Sequence, residues 1–325
     1  MIITLLLTFC YSWNQQVHII ATEIAFRRVG DSPHTSIRSV LQMNDEKVER
    51  DSIVGAWISS VELPPINTKT FNHWRFVKNP INRGDNDVDK HSNEDDLVTE
   101  VTQLNNALTK NTITDLWSYT LAFKSFFGLY IDLFSPLHNA ELFNFKDQNT
   151  GQVLFPDGDD SGQKFFINYD GYNISLYDFW ESGCGRFKEY LPYNNTQWQN
   201  IDRIVDELRA SVPSNTSIPS DIKKISQESL NIANTSVYSI SINQNIVKGD
   251  EYYNKCIQIT NERIVIGAYS LSNILKKIHV PSFPQKMPEQ LIGQSEILAW
   301  GVLALLLPAL AFLVWNFFQL KVKTE

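Results

Sequence analysis

The chain is short of cysteine, with three in 325 residues, and it has no surplus of positive charge: 28 Lys and Arg face 36 Asp and Glu, for a net charge of −8. Three cysteines allow a single disulfide and not a framework of them. An acidic balance gives no global attraction to a polyanion, so any nucleic-acid binding has to rest on bound metals or on a local patch. No such patch stands out. Arg27-Arg28 and Lys276-Lys277 are short pairs on helical stretches and read as solvated faces. Internal repeats are absent, and strand-like alternation is scarce outside residues 164–168 and 237–242. The chain therefore reads as mainly α, with one large domain in preference to two small ones.

The two ends lack charge. Residues 1–12 are almost wholly apolar, contain no basic residue and finish in Cys10-Tyr-Ser12, a small-x-small step that suits a signal peptidase. They are too few to cross a bilayer, which takes about 20 residues. Cleavage there would expose Trp13 and leave Cys184 and Cys256 as the expected disulfide pair. Asn173, Asn194, Asn215 and Asn234 each open an Asn-x-Ser/Thr sequon, which with a signal peptide fits a lumenal or extracellular domain. Residues 297–318 run without a charge, long enough for a transmembrane helix. Trp300 and Trp315 suit its interfaces, and Lys321 and Lys323 place the tail in the cytoplasm, a type I topology. A lipid-anchor signal is the alternative, but such tails end apolar and this one ends Lys-Val-Lys-Thr-Glu. The expected division is a signal peptide at 1–12, a folded domain at 13–278, a stem at 279–296 marked by Pro281, Pro284 and Pro288, a span at 297–318 and a tail at 319–325. The tail resembles the Lys-x-Lys-x-x signal for retrieval to the endoplasmic reticulum, although a basic pair that merely stops transfer looks the same.

Within the domain, Val17, Ile20, Ala21 and Ile24 predict a first helix over 13–28 that carries His18 and ends at the Gly30 to Pro33 turn. Further helices are expected at 51–60, at 201–212 before Pro213, and through Ile264, Ala268, Leu271, Leu275 and Ile278. Residues 117–127 are dense in large apolar side chains and predict a buried helix, closed by Pro136. It ends in Asp132, with His138 beyond the proline. A carboxylate and an imidazole are zinc ligands, although around a helix end they more often serve as a cap and a polar contact. Asp85, Asp87 and Asp89 have calcium-loop spacing, but Lys90 stands where such a loop needs glycine, so the segment reads as a solvated acidic loop.

Gly128-Leu-Tyr-Ile-Asp132-Leu-Phe-Ser-Pro136-Leu-His138 resembles the Gly-Asp-x-His-Gln-Pro-Leu-His signature of the zinc-dependent class I nucleases. Trp13-Asn-Gln-Gln-Val-His18 is similar to that family's mature amino terminus. Gly158-Asp-Asp-Ser-Gly162-Gln-Lys, Leu176-Tyr-Asp-Phe-Trp180-Glu181 and Glu228-Ser-Leu-Asn-Ile-Ala233 match further segments in order, and 263–275 fits the last helix. The likeness runs from Trp13 to about Ile278. It implies the phospholipase C and class I nuclease fold, and a reaction in which zinc ions hydrolyse phosphodiesters of single-stranded nucleic acid and 3′-phosphates.

Carried over residue by residue, the resemblance implies one zinc site from Trp13, through its free amino and carbonyl groups, with His18 and the bridging Asp132, which is also the expected catalytic residue. A second site falls on Ser59, Arg75, Gly128 and Asp132, where only the last keeps the family's ligand type. A third falls on His138, Glu181 and Tyr177, with Glu181 replacing an aspartate and Tyr177 a histidine. His73, two residues before Arg75, could serve only in a shifted register. The expectation is a membrane-anchored nuclease-like protein with an eroded cluster, about one zinc site intact and activity weak or lost. The alternative is a non-catalytic binding or scaffold protein on the same fold. Protein partners, the substrate and the oligomeric state do not follow from the sequence.

Overall fold

The computed structural model describes residues 13–281 apart from 43–48, 62–65, 67–69, 86–87, 89–94, 149 and 214–215. The expected signal peptide, the span, the tail, Asn215 and most of the acidic loop lie outside the described residues. Among those described, no helix is long and apolar enough to cross a membrane.

Nine α-helices are described: α1 (Gln15–Val29), α2 (Asp31–Gln42), α3 (Trp57–Val61), α4 (Leu97–Thr109), α5 (Leu116–Asp132), α6 (Leu176–Glu181), α7 (Asn195–Ser211), α8 (Ile222–Ile232) and α9 (Glu251–Leu275). Helix α1 starts where the Asn14 side chain accepts from the Val17 N–H, which satisfies one of the amide groups a helix start leaves open. It is buried on nearly every face, as a helix apolar on more than one side must be. It lies against α9 and against a 3₁₀ turn at Asp51–Ala56. Helix α5, capped by Asp115, is buried from Tyr119 to Asp132 except at Leu121. It runs antiparallel to α9: the hydroxyls of Tyr130 and Ser270 lie 2.7 Å apart, and Arg263 Nε, about two turns earlier on α9, donates to the carbonyl of Phe134, just past the end of α5, at 3.2 Å.

Seven short strands fill the other side: β1 (Pro80–Asn82), β2 (Glu141–Phe143), β3 (Phe145–Lys146), β4 (Val153–Leu154), β5 (Phe166–Tyr169), β6 (Tyr172–Ser175) and β7 (Asn245–Ile246). β1 and β2 pair in parallel, Ile81 opposite Leu142. β5 and β6 form a hairpin, Ile167 opposite Ile174, and β7 runs parallel to β5. Beneath them Leu142, Phe165, Ile167, Phe179, Trp180 and Val237 make an apolar core. The Cys184–Cys256 disulfide joins the loop after α6 to α9, with Cα atoms 6.1 Å apart and both residues buried.

Four expectations change. The first helix does not give way to a loop at Gly30, because α2 begins at once and holds Pro33 in its first turn, where the missing N–H would have no helical acceptor in any case. The expected helix at 51–60 is a 3₁₀ turn followed by the short α3. Residues 237–242 are not a strand: a π-turn at Ala233–Val237 ends α8, and the chain bends. Trp117 was expected in the buried part of α5, yet it is 63% exposed. Asn173, Asn194 and Asn234 are all exposed, as sugar acceptors must be. Asn194 is also the cap of α7, where its side chain and that of Gln197 reciprocally bond each other's backbone N–H.

Candidate active site

The last turn of α5 brings Asp132 into the interior, four residues and so about one turn after Gly128. Helix α1 brings His18 to it. The Ser135-Pro136 turn releases the chain from α5, and a 3₁₀ turn at Leu137–Asn139 swings His138 back over the same point. A second 3₁₀ turn at Asn72–Arg75 supplies Arg75, and α6 supplies Tyr177 and Glu181. All of these side chains are buried. The structure thus brings together residues from five segments spread over more than 160 positions.

Asp132 has two sides. Its Oδ1 takes His18 Nε2 at 2.9 Å, with His138 Nε2 at 3.8 Å. Its Oδ2 takes Arg75, with Nε at 3.0 Å and the second guanidinium nitrogen at 2.9 Å. This is a two-pronged charge-assisted pair. Burial works to raise the Asp132 pKa, but Arg75, His138 and His18 together hold it well below the usual carboxylate range. His138 is fixed from three directions. Its Nδ1 donates to the Arg75 carbonyl at 2.5 Å, its ring stacks on Phe76 with centroids 4.5 Å apart, and its Nε2 faces the Tyr177 hydroxyl at 3.3 Å and Glu181 Oε2 at 3.4 Å. Burial opposes its charge, yet Asp132 and Glu181 raise its pKa. Burial likewise raises that of Glu181, against His138 and the Ser135 hydroxyl, which donates to Oε1 at 2.5 Å. Trp13 is buried, and the Asn14 amide donates to the Glu181 carbonyl at 3.2 Å, so the start of the domain lies beside this centre.

The register is settled by burial. Arg75 is buried on Asp132, whereas His73 is exposed and forms no part of the site. Arg75 reaches Ser59 Oγ at 3.5 Å, so the positions expected to hold the second zinc do lie together. They carry a cation, a hydroxyl and a glycine. The glycine is packed shut: a Cβ at Gly128 would lie 2.5 Å from Ile58 Cγ2 and 3.1 Å from the Gly55 carbonyl oxygen. Ile58 is fully buried on α3 and takes the volume from which an imidazole at 128 would have to emerge. Replacing Gly128 with alanine should therefore cost about 1–3 kcal/mol of stability, as overpacking does. In an Ile58→Ala background that cost should shrink by more than half, because the same change empties the clash. Urea unfolding of the four proteins checks it, and additive costs would sink the packing account.

Sequence reasoning did not find Ile58, Phe76 or Ser135. Phe76 follows Arg75 directly, but no periodicity in the sequence turns it toward the same centre. Nothing in the sequence marks Ile58 as the filler of a vacated position.

The donor set does not fit a three-zinc cluster. Arg75 places fixed positive charge on the carboxylate expected to bridge two metals, and neither Gly128 nor Arg75 offers a ligand to the second of them. Among the described residues no group of three or more His, Cys, Asp and Glu side chains is arranged to hold one. Asp132 and Glu181 face Arg75 and His138, and both carboxylates act to raise the His138 pKa against its burial.

Outside this centre, the Gly158 to Gly162 loop buries Asp159, whose Oδ1 accepts from the Leu142 N–H at 2.9 Å. Burial, opposed by that hydrogen bond, pushes its pKa up to about 7. The unfolded carboxyl titrates near 4, so between about pH 4 and 7 the folded state binds the extra proton. Stability should fall as pH rises through that window, by at most about 1.4 kcal/mol per pH unit. Asp159→Asn should remove this slope in denaturant titrations at pH 5, 6, 7 and 8 (chosen about the shifted value); an unchanged slope would assign it to other groups.

The domain is mainly helical and gathers imidazoles and carboxylates around the end of one helix. The S1/P1 Nuclease family model matches residues 13–279, and the chain belongs to that family. No individual curated protein matches it.

Proposed function

We propose that this chain is an S1/P1 nuclease family member whose hydrolysis of phosphodiesters and 3′-phosphates is lost or far slower than the family's chemistry allows. The observation that carries the reading is the buried pairing of Arg75 with Asp132. Family catalysis needs neighbouring zinc ions that activate water and neutralise phosphate together, and losing one of them costs several kcal/mol of transition-state stabilisation. The domain then persists as a binding or scaffold protein on a nuclease fold. Single-stranded nucleic acid or nucleotides are the substrates to test. The remaining zinc-compatible set is Trp13, His18 and Asp132, which would hold about one zinc per chain and only with a free amino terminus at Trp13.

We further propose, from sequence, that residues 297–318 anchor the domain as a type I membrane protein with the sequons on the lumenal or extracellular side, and that Lys321 and Lys323 serve retrieval. Exchange of both lysines for serine should release the glycosylated protein to the cell surface; an unchanged distribution would leave them an anchoring role alone.

Activity is tested on the full chain with zinc added. Turnover of single-stranded DNA, RNA or a 3′-nucleotide should lie far below the roughly 1 to 1000 per second of ordinary enzymes. Combined Ser59→Asp, Arg75→His, Gly128→His and Tyr177→His substitutions should raise it only when Ile58→Ala makes room. Family-like turnover of the unmodified chain would overturn the proposal.

A further inference from the structure

Several elements end together at the end of the helical layer away from Asp132. Antiparallel packing puts the start of α5 beside the end of α9, as the Tyr130–Ser270 and Phe134–Arg263 contacts require. Helix α1 runs alongside α9, with the Arg28 guanidinium 4.1 Å above the Tyr269 ring, so its end lies there too. The start of α8 joins them, since Ser270 Oγ donates to the Pro219 carbonyl at 2.5 Å. The turn between α4 and α5 completes the group.

This end combines two properties. It carries exposed Arg28, Lys110, Lys223, Lys224, Lys276 and Lys277 against exposed Asp31, Asp115 and Asp221. It also exposes a large apolar pair on one helix face: Trp117, 63% exposed, and Leu121, 47% exposed, four residues apart on α5. From Tyr130 to Trp117 α5 extends about 20 Å, whereas α9 goes on from Ser270 to Leu275 by only about 8 Å. The first turn of α5 therefore stands beyond the end of α9, with Trp117 foremost. An exposed indole and leucine rimmed by lysines is the pattern of a surface that sits in the headgroup layer of a bilayer.

The course of the chain selects the occupant. The described residues stop at Pro281, at this same end. Fifteen positions, 282–296, separate it in sequence from the uncharged run 297–318. We propose that this end of the domain is a membrane-facing surface, with Trp117 and Leu121 inserted among lipid headgroups and Lys276 and Lys277 on their phosphates. The inference rests on the proposed membrane span. Tethering supplies the high local concentration that lets so small an apolar pair engage.

The test uses the full chain in phosphatidylcholine nanodiscs that contain a lipid with a photoactivatable group at the headgroup boundary. Lipid adducts on peptides from 297–318 report the span, and adducts on 112–121 and 276–280 report the surface. Both sets are expected. Trp117→Ser with Leu121→Ser, exposed positions that leave the core intact, should reduce adducts on 276–280 several-fold without changing those on 297–318. Adducts on the span alone would overturn the membrane-facing surface and leave the anchor standing. Absence of both would overturn the anchor and the surface with it. A protein partner on this end would give the first of these patterns.

Discussion

Replacing Arg75 with methionine should destabilise the domain by about 3–5 kcal/mol, against the roughly 5–15 kcal/mol that holds an ordinary domain folded. The guanidinium and the Asp132 carboxylate are both buried, and Oδ2 of the aspartate faces Arg75. Methionine fills most of the volume but leaves that oxygen charged in the interior. Asp132→Asn in the same background should recover a large part of the loss, because it removes the charge left behind while its carbonyl can still accept from His18. Denaturant unfolding of the wild type, the two single variants and the double variant checks both claims. If the methionine variant is as stable as the parent, Arg75 is not the counter-charge of Asp132. Should Arg75→Lys prove nearly as costly as methionine, the two-pronged geometry, and not charge alone, is what holds the carboxylate.

Loss of the disulfide should be of similar size. Cys184 and Cys256 are 72 positions apart, and closing a loop of that length in the unfolded chain is worth about 4 kcal/mol at 25 °C in the chain-entropy account. The bridge holds the loop after α6, and through it Glu181, against α9. The Cys184→Ala, Cys256→Ala protein should unfold at markedly lower denaturant than the parent, and dithiothreitol should bring the parent to the same midpoint. A difference below about 1 kcal/mol would mean that the unfolded chain is already restricted without the bridge.

The helical architecture and the membership of the centre were legible because both rest on local pattern. Apolar residues at helical spacing place α1, α7 and α9, and the resemblance to the class I nucleases places His18, Asp132, His138 and Glu181. What was not legible depends on tertiary packing. Trp117 belongs to an apolar run whose neighbours are buried, and only the reach of α5 past α9 shows that it is not. Residues 237–242 alternate like a strand, but the π-turn that ends α8 leaves them no partner strand. Arg27-Arg28 and Lys276-Lys277 were short pairs far apart in sequence; the packing of α1 along α9 puts Arg28 and the lysines at one end. The loss of a ligand at Gly128 could be read from the motif, but Ile58 closing the vacancy could not.

The positive charge facing Asp132 is covalently part of the chain. A metal centre is completed by mass action, so that its share of stability rises and falls with the free ion and disappears under a chelator. Arg75 is present at the same effective concentration in every folded molecule, at any metal level and in any compartment the chain traverses. The part of the centre that Arg75 neutralises thus assembles by folding alone, whatever zinc the Trp13, His18 and Asp132 set takes up.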